Sequence, residues 1–162
     1  MKNQGERNFP DSPALEPMRP RDVDEISRTL ASMDPWLTLG YKPEALSHYL
    51  LRADPALSRY CVIVSGRLAG VLAVRFPWLF GPFIELIALF GDCRGRGLGR
   101  ALIGWVGAQH ASSPNIWATV SSFNLDAREF YARQGFEPAA VLKDLIRPGQ
   151  NEVLLRRKNS EE

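Results

Sequence analysis

The chain has 162 residues, 45% of them hydrophobic, which is enough for one compact domain with a substantial core. A formal net charge of +2 gives no electrostatic case for a nucleic-acid or membrane partner, so neither is expected. The two cysteines, Cys61 and Cys93, lie far apart with no metal-type spacing, and the polar stretch Met1 to Pro13 carries no secretory signal; no metal, reduced thiols and a cytoplasmic location are the expectation.

Residues 1–13 read as a disordered leader, 14–157 as a single domain and 158–162 as a polar tail. Leu15 to Arg19 suits a short strand. Pro20 to Ala31 carries Val23, Ile26 and Leu30 at helical spacing, with Asp22, Asp24 and Glu25 early, where negative charge suits the helix dipole. Ser32 to Tyr41 reads as a loop, and Pro43 to Ala53 as a second helix with proline near its start. Tyr60 to Val64 and Leu68 to Arg75 read as strands joined at Ser65-Gly66-Arg67. The apolar stretch Val71 to Phe90 is broken by Arg75, Pro77, Gly81, Pro82 and Glu85, so it reads as two strands and a turn rather than a membrane span. A strand over Pro82 to Phe90 is followed by a helix over Gly97 to His110 and a strand over Ile116 to Val120. A helix over Asn124 to Gln134 ends at Gly135, and the strands Phe136 to Lys143 and Glu152 to Arg156 flank a turn at Arg147 to Gln150. The order β-α-α-β-β-β-α-β-α-β-β implies an α/β fold with a mixed sheet covered by helices.

Residues 94 to 100 read Arg-Gly-Arg-Gly-Leu-Gly-Arg, between an apolar strand and a helix. Glycines let the backbone approach a ligand closely. The first N–H groups of a helix lack internal partners and sit at the positive end of its dipole, where phosphates bind. The alternative is a tight turn with solvated arginines. A P-loop is excluded, because Gly99 is followed by Arg100-Ala101 rather than Lys-Ser/Thr, and the glycine spacing departs from the dinucleotide fingerprint G-x-G-x-x-G.

A second block, Asn124 to Phe136, carries N-x-x-A-x-x-F-Y-x-x-x-G-F. Together with the upstream R-G-x-G-x-G, it resembles the GNAT superfamily of acetyl-CoA-dependent N-acetyltransferases, over roughly residues 14 to 157. The resemblance implies a mostly antiparallel central sheet flanked by about four helices. It implies that Arg94, Gly95, Arg96, Gly97, Leu98, Gly99 and Arg100 cradle the pyrophosphate of coenzyme A. It also implies that the strand end Ile87, Ala88 and Leu89 meets the pantetheine arm with backbone groups, where the sheet splays. Asn124, with Ala127 and Phe130, falls on the same cofactor wall, though Asn124 is also a good N-cap. Tyr131 falls on the position of the proton donor to the departing thiolate; the alternative is an amphipathic core tyrosine.

Glu85 is the only charge between Leu79 and Asp92. On simple alternation it shares a face with Phe83, Ile87 and Leu89, where a carboxylate would have a raised pKa suited to a general base. The alternative is a structural glutamate paired with Arg75. Trp36 and Tyr41, and a second aromatic group of Phe76, Trp78 and Phe80, are candidates for an apolar acceptor pocket or for caps on the core. His48 and His110 read as ordinary, and both cysteines as inert. The resulting expectation is an acyltransferase moving acetyl from acetyl-CoA to a primary amine of a small molecule or protein, by direct attack in a ternary complex. The competing reading is a non-catalytic acyl-CoA-binding sensor. The resemblance also gives a homodimer as an expectation.

Overall fold

A computed structural model describes residues 12–159, so most of the expected leader and the last three residues of the expected tail lie outside it. A short strand β1 (Ala14–Pro17) leads through a 3-10 turn (Pro20–Asp22) into α1 (Val23–Ala31). The stretch read as a loop contains a four-residue helix, α2 (Trp36–Leu39), before α3 (Pro43–Leu51). Three antiparallel strands follow: β2 (Leu57–Val64), β3 (Arg67–Trp78) and β4 (Gly81–Leu89). A 3-10 turn (Gly91–Cys93) and the glycine loop enter α4 (Leu98–Gln109), and the chain closes with β5 (Asn115–Ser121), α5 (Leu125–Arg133), β6 (Glu137–Arg147) and β7 (Gln150–Lys158). Lys158, assigned to the tail, ends the last strand, where it pairs with Asn115.

The hairpin turn between β2 and β3 has two residues, with positive φ at both Ser65 and Gly66, the pattern that matches the right-handed twist of the flanking strands. The β3–β4 hairpin runs further than alternation indicated, to a tip at Leu79 and Phe80. Gly81 is required there because a Cβ would lie 2.1 Å from the Asn115 carbonyl oxygen.

Among the described residues the strands form one seven-stranded sheet in the order β1-β2-β3-β4-β5-β7-β6. Only β4 and β5 run parallel, because α4 crosses over between them. Apolar side chains cover both faces. On one, Leu102, Ile103 and Val106 of α4 pack on Ile84, Ile116, Ala118 and Val153. On the other, Ile26 and Leu30 of α1 and Leu46 and Leu50 of α3 pack on Val71, Leu86 and Ala88. The second is the face that the helical period of Val23, Ile26 and Leu30 is set to bury. No helix among the described residues is long and apolar enough to cross a membrane.

Candidate active site

The parallel pair β4–β5 is joined at only two registers, Phe83 with Trp117 and Ile84 with Ala118. Beyond these the strands part, and a cleft of about 1350 Å³ opens between them. Its lining crosses the sheet, from the glycine loop and α5 on one face to Trp36, Tyr41 and Tyr49 on the other.

The backbone edge in this gap follows from the β3 pairing. Phe90 N–H donates to Ala69 O at 2.8 Å, so in an antiparallel ladder the amides of alternate residues, Phe90 and Ala88, point toward β3. Those of Ile87 and Leu89 point into the gap. Of the three residues assigned to a pantetheine contact, Ala88 is therefore committed to the sheet, and its side chain is buried beside α1 and α3.

At one end of the cleft the chain turns into α4. Gly95 and Gly97 hold φ of +73° and +78°, a region open to glycine at little cost. The first α4 hydrogen bond runs from Ala101 N–H to the Gly97 carbonyl, which leaves the N–H groups of Leu98, Gly99 and Arg100 without intrahelical acceptors. A Cβ on Gly97 would meet nothing within 4 Å, whereas one on Gly99 would lie 2.7 Å from the Phe130 ring. Gly97 therefore borders open space, and Gly99 lets α5 pack against α4. Arg94 Nε donates to Leu89 O at 3.1 Å and ties the loop to the end of β4. Arg100 lines the cleft; Arg96, assigned to the cradle with it, does not. A loop with three free amides, open space at Gly97 and flanking arginines fits a pyrophosphate.

Along the α5 wall, the Asn124 side-chain oxygen accepts from Ala127 N–H at 3.3 Å, so Asn124 caps the helix while also lining the cleft. Ala127, Phe130 and Tyr131 line it too. Tyr131 is buried, with its ring 5.3 Å from both Phe130 and Phe136. Burial pushes its phenol far above the usual tyrosine range, so the group stays protonated at working pH.

The surroundings of Glu85 are those of the alternative, a pairing with Arg75, rather than those of an apolar face. Ala73 pairs with Leu86 and Val74 with Ile84, so Glu85 is the extra residue of a β-bulge. Alternation breaks there. Ile84, Ile87 and Leu89 pack toward α4, while Leu86 and Ala88 pack toward α1 and α3. Glu85 does not sit among apolar neighbours. Arg75 Nε donates to its Oε2 at 2.6 Å, and the same guanidinium donates to Asp54 at 3.0 Å. Those hydrogen bonds, to Glu85 first, hold Arg75 above its ordinary value. The Arg75 hydrogen bond likewise holds the Asp54 carboxyl below the usual carboxylate range. The buried Tyr49 hydroxyl lies beside Glu85; burial first, then that charge, push its phenol up.

Two residues with no local sequence signal complete the cleft. Glu152 of β7 pairs in register with Ser121 of β5, and Ser121 Oγ donates to its Oε1 at 2.5 Å. Glu152 is 5% exposed, and burial raises its pKa against the smaller opposing effect of the Ser121 hydrogen bond. Tyr41, nearby, has its phenol raised by burial and then by Glu152, with Arg147 acting the other way.

Phe76, Trp78 and Phe80 do not join the cleft. Trp78 stacks on Phe83 and meets Trp117 edge-on, and Phe76 packs on His110, whose pKa is lowered by burial. Trp36 both lines the cleft and packs against the α1–α3 core. Cys61 is buried, and its thiol is pushed up to about 11 by that burial, with Asp22 adding to it.

Comparison with known proteins gives a consistent picture. The family model described as "Acetyltransferase (GNAT) family" matches residues 23–136. An uncharacterized N-acetyltransferase of Methanocaldococcus jannaschii is 29% identical over 102 residues, which cover 61% of this chain and 65% of that protein; the chain thus spans just under two thirds of the length of this relative. The crystal structure of an acetyltransferase from Thermus thermophilus superposes with a TM-score of 0.73 at 22% identity, covering 93% of this chain and 99% of that one. An aminoglycoside 6'-N-acetyltransferase complexed with coenzyme A gives 0.71 at 12% identity, over 92% and 98% of the two chains. At such identities the likeness to the solved structures is one of fold.

Proposed function

We propose, from the premise that this chain belongs to the acetyltransferase (GNAT) family, that it moves an acetyl group from acetyl-CoA to a primary amine of a small molecule or protein by direct attack in a ternary complex. One observation carries the reading. A single cleft runs through the splayed sheet, with a helix N-terminus and arginines at one end and an aromatic, acidic wall across the sheet.

Acetyl-CoA, when bound, supplies the acyl group as an activated thioester. The free amides of Leu98, Gly99 and Arg100 and the Arg100 guanidinium would hold its pyrophosphate, with Gly95 and Gly97 shaping the loop. The amides of Ile87 and Leu89 would hydrogen-bond the extended arm, Ala127 and Phe130 would wall it, and Asn124 would contribute mainly as the α5 cap. Tyr131 keeps its proton in its buried site, so it would donate it to the sulfur as the C–S bond breaks. The Arg75 and Asp54 partnership supports a structural carboxylate at Glu85 over a free base.

The test is thermal: acetyl-CoA at about 100 times its dissociation constant adds roughly 2.7 kcal/mol. Free adenosine diphosphate should add less, having no pantetheine. Amine-dependent release of thiol from acetyl-CoA then separates an enzyme from a sensor. Stabilisation without any such release would favour the sensor, and no stabilisation would remove both.

A further inference from the structure

Four carboxylates line the cleft: Asp34 accepts from Thr38 in its own turn and Asp126 lies in the exposed first turn of α5, while Glu85 and Glu152 stand on strands and differ in what neutralises them. Glu85 shares Arg75 with Asp54. Glu152 has no cation: among the described residues no Lys, Arg or His lies within ion-pair distance, and its one hydrogen bond comes from Ser121. It is nevertheless buried at 5% exposure. Its second oxygen is not sealed away, because Glu152 lines the cleft and is not among the buried unpartnered groups.

The sheet fixes which way Glu152 faces. Val153 and Leu155 of β7 pack into the α4 side, as do Ile116, Ala118 and Val120 of β5. Ser121 and Glu152, one position out of phase with these, face the opposite side, where Tyr41 stands. The groups around Glu152 are Ser121 from β5, Leu142 from β6 by register, and Tyr41 from the loop before α3; Arg147 at the end of β6 acts on Tyr41.

A desolvated carboxylate without a cation is costly. The cost is recovered when a cation enters and completes the pair. We infer that Glu152 is the acceptor-recognition residue: its free oxygen receives the ammonium of a primary-amine acceptor, whose organic part lies along Trp36 and Tyr41. This deepens the transferase reading and rests on it. It assigns the acceptor class as cationic amines with an apolar or aromatic body. A neutral hydroxyl compound or an anion would leave the carboxylate unpaired or repelled.

The experiment uses the full chain saturated with coenzyme A and two probes of matched shape, 2-phenylethylammonium and 2-phenylethanol, titrated by calorimetry. Wild type should bind the ammonium more tightly than the alcohol. Glu152→Gln, which keeps an oxygen for Ser121, should bind the ammonium at least about tenfold more weakly, bind the alcohol equally well, and retain its affinity for coenzyme A. Ser121→Ala, which keeps the charge but frees the carboxylate, should fall between the two. Equal ammonium affinity in wild type and Glu152→Gln overturns the assignment, as does a wild type that binds the ammonium no better than the alcohol or not at all. Failure of wild type to bind coenzyme A is a separate result, which removes the transferase reading and this one with it.

Discussion

Replacing Gly97 with leucine separates cofactor binding from folding. A Cβ at Gly97 meets nothing within 4 Å, so the side chain enters open space and displaces no core atom. The cost to the fold is the left-handed backbone at φ +78°, about 1–2 kcal/mol for a residue with a Cβ. At roughly 2–4 °C per kcal/mol for a domain of this size, melting should fall by about 2–8 °C. The open space, however, is where the reading puts the pyrophosphate. Wild type with acetyl-CoA at about 100 times its dissociation constant should gain roughly 5–11 °C, from about 2.7 kcal/mol at the same conversion. The variant should lose nearly all of that gain while unfolding cooperatively. Differential scanning fluorimetry with and without ligand measures both numbers. A folded Gly97→Leu protein that keeps the full acetyl-CoA shift would refute the placement of the cofactor on this loop.

Three other outcomes follow from the site. Tyr131→Phe removes the buried proton donor without changing the ring packing on Phe130 and Phe136, so steady-state kinetics should show kcat down roughly a hundredfold with coenzyme A affinity retained; a fully active variant would move the role to water. Glu85→Gln breaks a half-buried ion pair with Arg75 and should lower stability by about 1 kcal/mol, with the pH–rate profile keeping its shape; loss of the acidic limb of that profile would instead restore Glu85 as the base. Glu152→Gln should melt higher than wild type at neutral pH. Burial raises the folded-state pKa of Glu152, so its contribution to stability is fully present below the ordinary glutamate value of 4.5 and is lost as pH rises through the raised value. The melting difference between variant and wild type should therefore shrink toward zero on acidification, and a variant less stable than wild type at neutral pH would point to a structural carboxylate.

The parts of the site that were legible in the sequence are local. The glycines before α4 announce a strand-to-helix turn by their spacing alone, and Asn124, Ala127, Phe130 and Tyr131 lie within three turns of one helix, where the helical period brings them to one wall. Alternation alone puts Glu85 on the apolar face, because it assumes an unbroken strand; a one-residue bulge, set by the partner strand, turns every residue before it to the other face and leaves the pairing with Arg75. Glu152 carries no local signal, because its significance lies in a pairing with Ser121, 31 residues away, and a lone acid in a closing strand reads as solvated. Helix α2 has four residues and no side-chain cap, too little period to register. Composition leaves Phe76, Trp78 and Phe80 open between an acceptor pocket and caps on the core, because it does not show that β3 runs on to Trp78 and carries them to a hairpin tip against the end of α4 and β5.

The same topological step that breaks the sheet also equips the break. A crossover helix is needed to bring β5 parallel to β4, and the N-terminus of that helix must start from the C-terminal end of β4. The strands diverge toward that end, so the free amides of α4 and the outward amides of Ile87 and Leu89 on β4 face one gap. Unpaired backbone groups inside a sheet are costly unless something satisfies them. An extended ligand with amide groups along its arm and a phosphate at its end meets both requirements. The antiparallel pairing of β5 with β7 then places Glu152 across from Ser121 on the far face of the gap, without a cation. The backbone thus leaves hydrogen-bonding demand on one side of the sheet and the side chains leave charge demand on the other, which is the asymmetry expected of a site that takes an anionic thioester donor from one face and a cationic amine from the opposite one.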